Sequence, residues 1–198
     1  FDFESTQRDA LAGGVTTVYL SPGRERLVSG QGGVIKTHGM DIVQRVLADA
    51  TALRVNFGDG GVSAPRVFEP TAHPTDDDPL LPARIQTPTA RIGVLPELRA
   101  LFREAVRDTG LSEENRGENR FDMAALRAVV ERKLPVRAAA TKAADVRRAL
   151  ALQQEFGIKM VLENPQEIAT VATQAASQKV SATFRMPVLL GRANPGTE

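Results

Sequence analysis

Residues 10–39 read ALAGGVTTVYLSPGRERLVSGQGGVIKTHG, and their parsing decides the fold. Residues 10–12 close a helix, and Gly13-Gly14 offers the left-handed stop that helix ends favour. Residues 15–20, VTTVYL, are β-branched and aromatic and read as a strand. Ser21-Pro22-Gly23 ends it with turn chemistry. Residues 30–33, GQGG, read as a glycine loop where backbone passes close to another group, and residues 34–37 as a second short strand. Helix, strand, loop, strand is most economically a parallel α/β unit, with loops gathered at the C-terminal ends of the strands.

The remaining sequence extends that reading. Residues 1–12 predict a helix with Ser5 or Thr6 as N-cap. Residues 41–50, DIVQRVLADA, set Ile42 and Val46 on one helical face, and residues 52–57 predict a third strand. Prolines 65, 70, 74, 79, 82 and 88 break up residues 59–90, which read as a Pro-rich insert; a loop of that length is usually a lid or disordered. Its acidic run, residues 76–78, lacks the glycine and glutamate of a calcium loop and reads as a solvated tip. A helix follows over 95–108, with Leu98, Leu101, Phe102 and Ala105 as its inner stripe and Gly110 as its stop. Residues 112–120 are polar, and Asp122 is placed to cap MAALRAVVERK. From residue 134 the pattern alternates: strands at 134–140, 158–162 and 179–184, helices at 144–156 and 166–176. That short-period alternation is the mark of parallel βα repeats.

Composition narrows the function classes. The 198 residues suffice for one domain with a sizeable core. With 25 basic and 24 acidic residues, no Trp and one Tyr, there is neither a basic surplus nor a stacking platform for nucleic acid. Absent cysteine removes disulfides and thiolate catalysis and suits a cytoplasmic protein as well as an exported one. No apolar run approaches the ~20 residues of a membrane span, so no membrane partner is expected. The start at Phe1, without a signal segment, is expected of an internal piece of a longer protein or of a processed product.

The stretches LAGGVTTVYLSPG and GQGGVIKTHG resemble the imidazolonepropionase-like branch of the amidohydrolases, and the likeness continues downstream across residues 1–198, least at 59–87 and 109–120. The resemblance implies an α/β fold: part of a (β/α)8 TIM barrel, from about strand two to strand seven, with parallel strands and helices outside. It implies hydrolysis of C–N bonds of cyclic and linear amides by zinc or another divalent metal held at strand ends. It also names positions. In ALRVNFGDG, Arg54 stands where the family carries a lysine that is carboxylated in dinuclear members; a guanidinium cannot take that role. In KLPVRAAATKAADV the two family histidines fall on Ala139 and Thr141. In GIKMVLENPQEIATVA the family histidine falls on Asn164, while Glu167 is kept. None of the four is a competent zinc ligand. The resemblance matches residues 1–12 to the helix before strand two, so the family's first ligand pair, a His-x-His, is expected either outside this sequence or missing from the protein, and its last aspartate beyond Glu198.

The expected function is therefore an amidohydrolase-like protein without catalysis, acting as a binding or subunit-partner protein, with no catalytic residue and no cofactor. The alternative is a metal-dependent C–N hydrolase completed by segments outside this chain. Expected partners are a second copy, an active amidohydrolase paralogue or a small molecule. Gln31, Lys36, Arg54, Asn164 and Glu167, with the amides of residues 30–33, would line a small-molecule pocket. Equally, the glycines serve a tight turn and Lys36 is solvated or paired. Arg137 joins that pocket only if its strand phase turns it inward. Glu163 and Glu167 would face each other across a turn, although helix capping explains Glu167 as well. His38 and His73 each stand alone and read as loop residues.

Overall fold

The computed structural model describes residues 3–39, 41–62, 75, 88–112 and 121–185. Its elements run α1 (Phe3–Ala12), β1 (Thr17–Leu20), β2 (Val28–Lys36), α2 (Ile42–Arg45), β3 (Val46–Asn56), α3 (Val94–Thr109), α4 (Phe121–Val130), β4 (Val136–Ala139), α5 (Ala143–Phe156), β5 (Met160–Glu163), α6 (Ala172–Ser177) and β6 (Ser181–Thr183). The six strands form one sheet in sequence order, curled into a partial barrel and open between β1 and β6. From β3 to β6 every pairing is parallel.

The expectation of parallel pairing throughout fails for the first three strands. β1 pairs with β2, and β2 with β3, in antiparallel fashion. Residues 21–27 and 37–45 are too short for the crossover that a parallel pair needs. Residues 30–33 are also not a loop but the middle of β2, which runs Val28–Lys36. The glycines serve close packing there. A Cβ on Gly32 would lie 2.1 Å from the Tyr19 hydroxyl, and one on Gly33 2.9 Å from the Asp49 carbonyl oxygen. Gly30, at φ +118, accompanies a break in register between Val28 and Gly30, as expected of a bulged strand. The helix predicted over 41–50 shrinks to the single turn α2, capped by Asp41, whose carboxylate accepts from the Val43 amide at 3.0 Å. Beyond it, residues 46–50 extend β3 and pair with the far end of β2, so the hairpin overrides a weak helical pattern.

The helices match the sequence more closely. α3 buries Val94, Leu98, Phe102 and Ala105, one stripe at helical spacing; Leu101 is half-buried. Gly157, at φ +63, stops α5. Asp122, and Ser5 and Thr6, fall inside the first turns of α4 and α1 rather than before them. The helix expected over 166–176 is split into a 3-10 turn, Ile168–Val171, and α6. Of the insert, the short turns Asp59–Gly61 and Arg91–Gly93 flank residues 63–74 and 76–87, which lie outside the described residues with His73 and the acidic run.

Alternation along the strands sorts the sheet into two faces. Leu53, Val55, Phe57, Val136, Ala138, Met160 and Leu162 point to α3, α4 and α5 and build the core with Leu98, Phe102, Leu126, Val129, Val146 and Leu150. Arg54, Asn56, Arg137, Ala139 and Glu163 occupy the opposite phases and face the inside of the partial barrel.

Candidate functional site

An ion-pair cluster occupies the inner face. Arg54 is 4% exposed, and its Nη2 lies 2.5 Å from Glu163 Oε2. The other carboxylate oxygen accepts from Arg137 Nε at 2.6 Å. Register brings the three together: Arg54 sits beside Arg137, and Glu163 beside Ala139 one layer nearer the strand ends. Arg54 Nη1 also donates to Ser21 Oγ and, at 3.1 Å, to the Pro22 carbonyl, tying β3 to the end of β1. The Arg137 guanidinium stacks 4.3 Å from the centre of the Tyr19 ring. Burial lowers the Arg54 pKa from its ordinary value, and the Glu163 charge opposes that shift. Burial raises the Tyr19 phenol, against the pull of Arg137. The cluster is thus two guanidinium groups on one carboxylate, with an aromatic face completing the shell.

A cleft of about 310 Å³ opens above the cluster, at the C-terminal ends of β3 and β4. Asn56, Gly58, Ala139, Thr141 and Asp145 line it, with Arg24 and Lys142 at the mouth. Asn56 is held by donating Nδ2 to the Arg26 carbonyl and to Ser29 Oγ. Asp145, 1% exposed, accepts both its short bonds from Arg91 Nη2, at 2.6 and 2.7 Å, and a third from Arg148 at 2.8 Å. Arg91 reaches Asp59 as well, so this network fastens the start of α3 to the start of α5. The carboxylates of the cleft, Asp59 and Asp145, are already matched by Arg91.

The residues expected to share a pocket are separated. Gln31 is exposed on β2 opposite Leu53 and borders a groove with Leu101 and Leu126, on the helix-packed face away from Arg54. Lys36 is exposed at the other end of β2; six residues separate it from Gly30, the partner of Arg54, about 20 Å along a strand. Asn164, at φ +51, accepts from the Arg185 amide at 3.3 Å. Glu167 turns to the start of α5 and accepts from the Ala143 amide at 2.9 Å. Glu163 and Glu167 therefore face different partners. Arg137 points inward, toward Glu163. Ala139 and Thr141 both border the cleft. The roles of Ser21 and Tyr19 go unseen in the sequence; the signal available is the inward strand phase shared by Arg54, Arg137 and Glu163.

This donor set does not fit a zinc or similar centre. The four positions to which the resemblance assigns ligands, 54, 139, 141 and 164, carry a guanidinium, a methyl, a hydroxyl and an amide, and the guanidinium is held on Glu163. Among the described residues no three His, Cys, Asp or Glu side chains stand close enough to share a metal.

A solved structure described as an amidohydrolase from Thermotoga maritima MSB8 superposes on this chain with a TM-score of 0.73 at 28% identity, over 96% of this chain and 46% of that one. The fold is amidohydrolase-like, and the chain spans about half the length of that structure. No family model matches the chain, and no curated protein does. Among the described residues no helix is long and apolar enough to cross a membrane.

Proposed function

We propose that this chain is a non-catalytic amidohydrolase-like protein of the imidazolonepropionase-like kind, acting in the cytoplasm as a binding or subunit-partner protein. The observation that carries the reading is Arg54. By the resemblance it stands at the position of the bridging lysine; it is 4% exposed, and it shares Glu163 with Arg137, so the cluster keeps a net positive charge. A fixed cation there repels a dication by several kcal/mol at ~4 Å and an effective dielectric near 20. Without a metal, water is not acidified and the amide carbonyl not polarised, so hydrolysis loses its main source of rate. The partner role is supported by the open sheet: β1 and β6 are its two ends, and exposed strand edges are pairing surfaces. A second copy or an active amidohydrolase paralogue would supply strands there, and the cleft above the cluster would take a small molecule.

One observation favours a second reading, a metal-dependent C–N hydrolase completed by other segments. More than half of the Thermotoga amidohydrolase has no counterpart in this chain. Hydrolysis of cyclic imides and linear amides by the full chain, with and without added zinc, separates the two. The non-catalytic reading predicts no zinc-dependent turnover. Turnover that rises with zinc and disappears with chelator supports the second.

A further inference from the structure

A second pocket lies at the opposite end of the sheet from the cleft. Gln7, Arg8 and Leu11 of α1, Thr37 and His38 after β2, and Arg45 of α2 enclose about 240 Å³ beside the N-terminal end of β1. Among the described residues its lining holds two arginines, a histidine and no carboxylate. Arg45 is fixed in place: Nε donates to the Gly39 carbonyl at 2.6 Å and Nη1 to Gln7 Oε1 at 2.7 Å, and among the described residues Nη2 is uncommitted. Arg8 is exposed, and neither arginine forms an ion pair among the described residues. The Thr37 hydroxyl is spent on the Val15 carbonyl at 2.8 Å.

Gln7 is 7% exposed, yet among the described residues its Nε2 has no hydrogen-bond acceptor. Buried amides of that kind are satisfied in nearly all folded proteins. The unmet donor, the free edge of Arg45 and the Arg8 guanidinium all call for acceptor oxygens carrying negative charge.

We propose that this pocket binds the phosphoryl group of a small phosphomonoester. Two permanent cations match a dianion better than a single carboxylate. The cations come from two separate elements, Arg8 of α1 and Arg45 of α2. Leu11 provides an apolar wall for the carbon that carries the phosphoryl group. The site lies away from the strand ends that form the cleft and does not depend on the function proposed above.

Calorimetric titration of the full chain in low chloride tests this, with inorganic phosphate, glycerol 3-phosphate and succinate as probes. The expected result is saturable binding of both phosphates, at one site per chain. Tighter binding of the monoester identifies a metabolite site, and equal binding a site for the phosphoryl group alone. Arg8→Ala, at an exposed position, should weaken both at least tenfold. Gln7→Glu should abolish them while keeping the melting temperature, because it pairs Arg45 and puts a carboxylate in the pocket. Absence of saturable phosphate binding, unchanged affinity in Arg8→Ala, or tighter binding of succinate than of phosphate would overturn the proposal.

Discussion

Arg54 and Glu163 stand 109 residues apart in sequence and meet inside the curled sheet, Nη2 to Oε2, at 2.5 Å. The contact spans β3 to β5 across β4, whose own inward arginine, Arg137, takes the second carboxylate oxygen. Removing one member of a buried pair strands the other's charge. Glu163→Ala is therefore expected to cost about 3–5 kcal/mol in urea denaturation. The double variant Arg54→Met, Glu163→Leu should cost clearly less than the sum of the two single changes. Additive losses would mean that the two charges do not interact.

Tyr19 is the one tyrosine in the sequence, so absorbance of tyrosinate reports on it alone. Burial raises its pKa above the ordinary 10.0. The native chain keeps this proton at a pH where the unfolded chain has lost it. The associated stability is complete below pH 10 and is lost as pH rises through the native pKa. Alkaline titration of the folded protein should give a midpoint above that of the urea-unfolded chain, and Tyr19→Phe should flatten the decline of stability above pH 10. Coincident midpoints would contradict the burial of the ring.

Gly32 has no room for a side chain. Gly32→Ala would put a Cβ 2.1 Å from the Tyr19 hydroxyl and 2.7 Å from the Leu20 carbonyl oxygen. Overpacking of this kind costs about 1–3 kcal/mol. Combining it with Tyr19→Phe should restore only part of the loss, since the backbone contact persists. Full recovery in thermal melts would show that the hydroxyl alone sets the limit.

Asp145 joins the start of α5 to Arg91 at the start of α3. Asp145→Asn keeps the shape but gives up the charge on three bonds. A loss of about 2 kcal/mol or more is expected, with faster amide exchange in the turn Arg91–Gly93. Unchanged exchange there would mean that the turn is held by other contacts.

These four sites show what the sequence discloses and what it withholds. The helices α3 and α5 are legible because apolar spacing and glycine stops are local signals, seen at Leu98, Phe102, Ala105 and Gly157. The β1–β3 meander is not, because the glycines of residues 30–33 signal close backbone approach without saying whether a loop or a bulged strand makes it. Only the tertiary partners, Tyr19 and Asp49, decide that. Positions 54, 139, 141 and 164 stand out by resemblance, but pairing Arg54 with Glu163 requires the register of three strands. Read as loop residues, Gln31 and Lys36 group with Arg54. As strand residues they follow the pleat, and it turns Gln31 to the helix-packed face and leaves Lys36 about 20 Å away.

The metal content of the full chain, purified without chelators and measured by plasma mass spectrometry, tests the central claim most directly. With Arg54 on Glu163, and Ala139, Thr141 and Asn164 at the strand ends, zinc, iron and manganese should each be far below one per chain. Chelator should leave the melting temperature unchanged, since a bound metal would otherwise stabilise by mass action. About one tightly held metal per chain, lost with a fall in melting temperature on chelation and coordinated at these positions, would contradict the account.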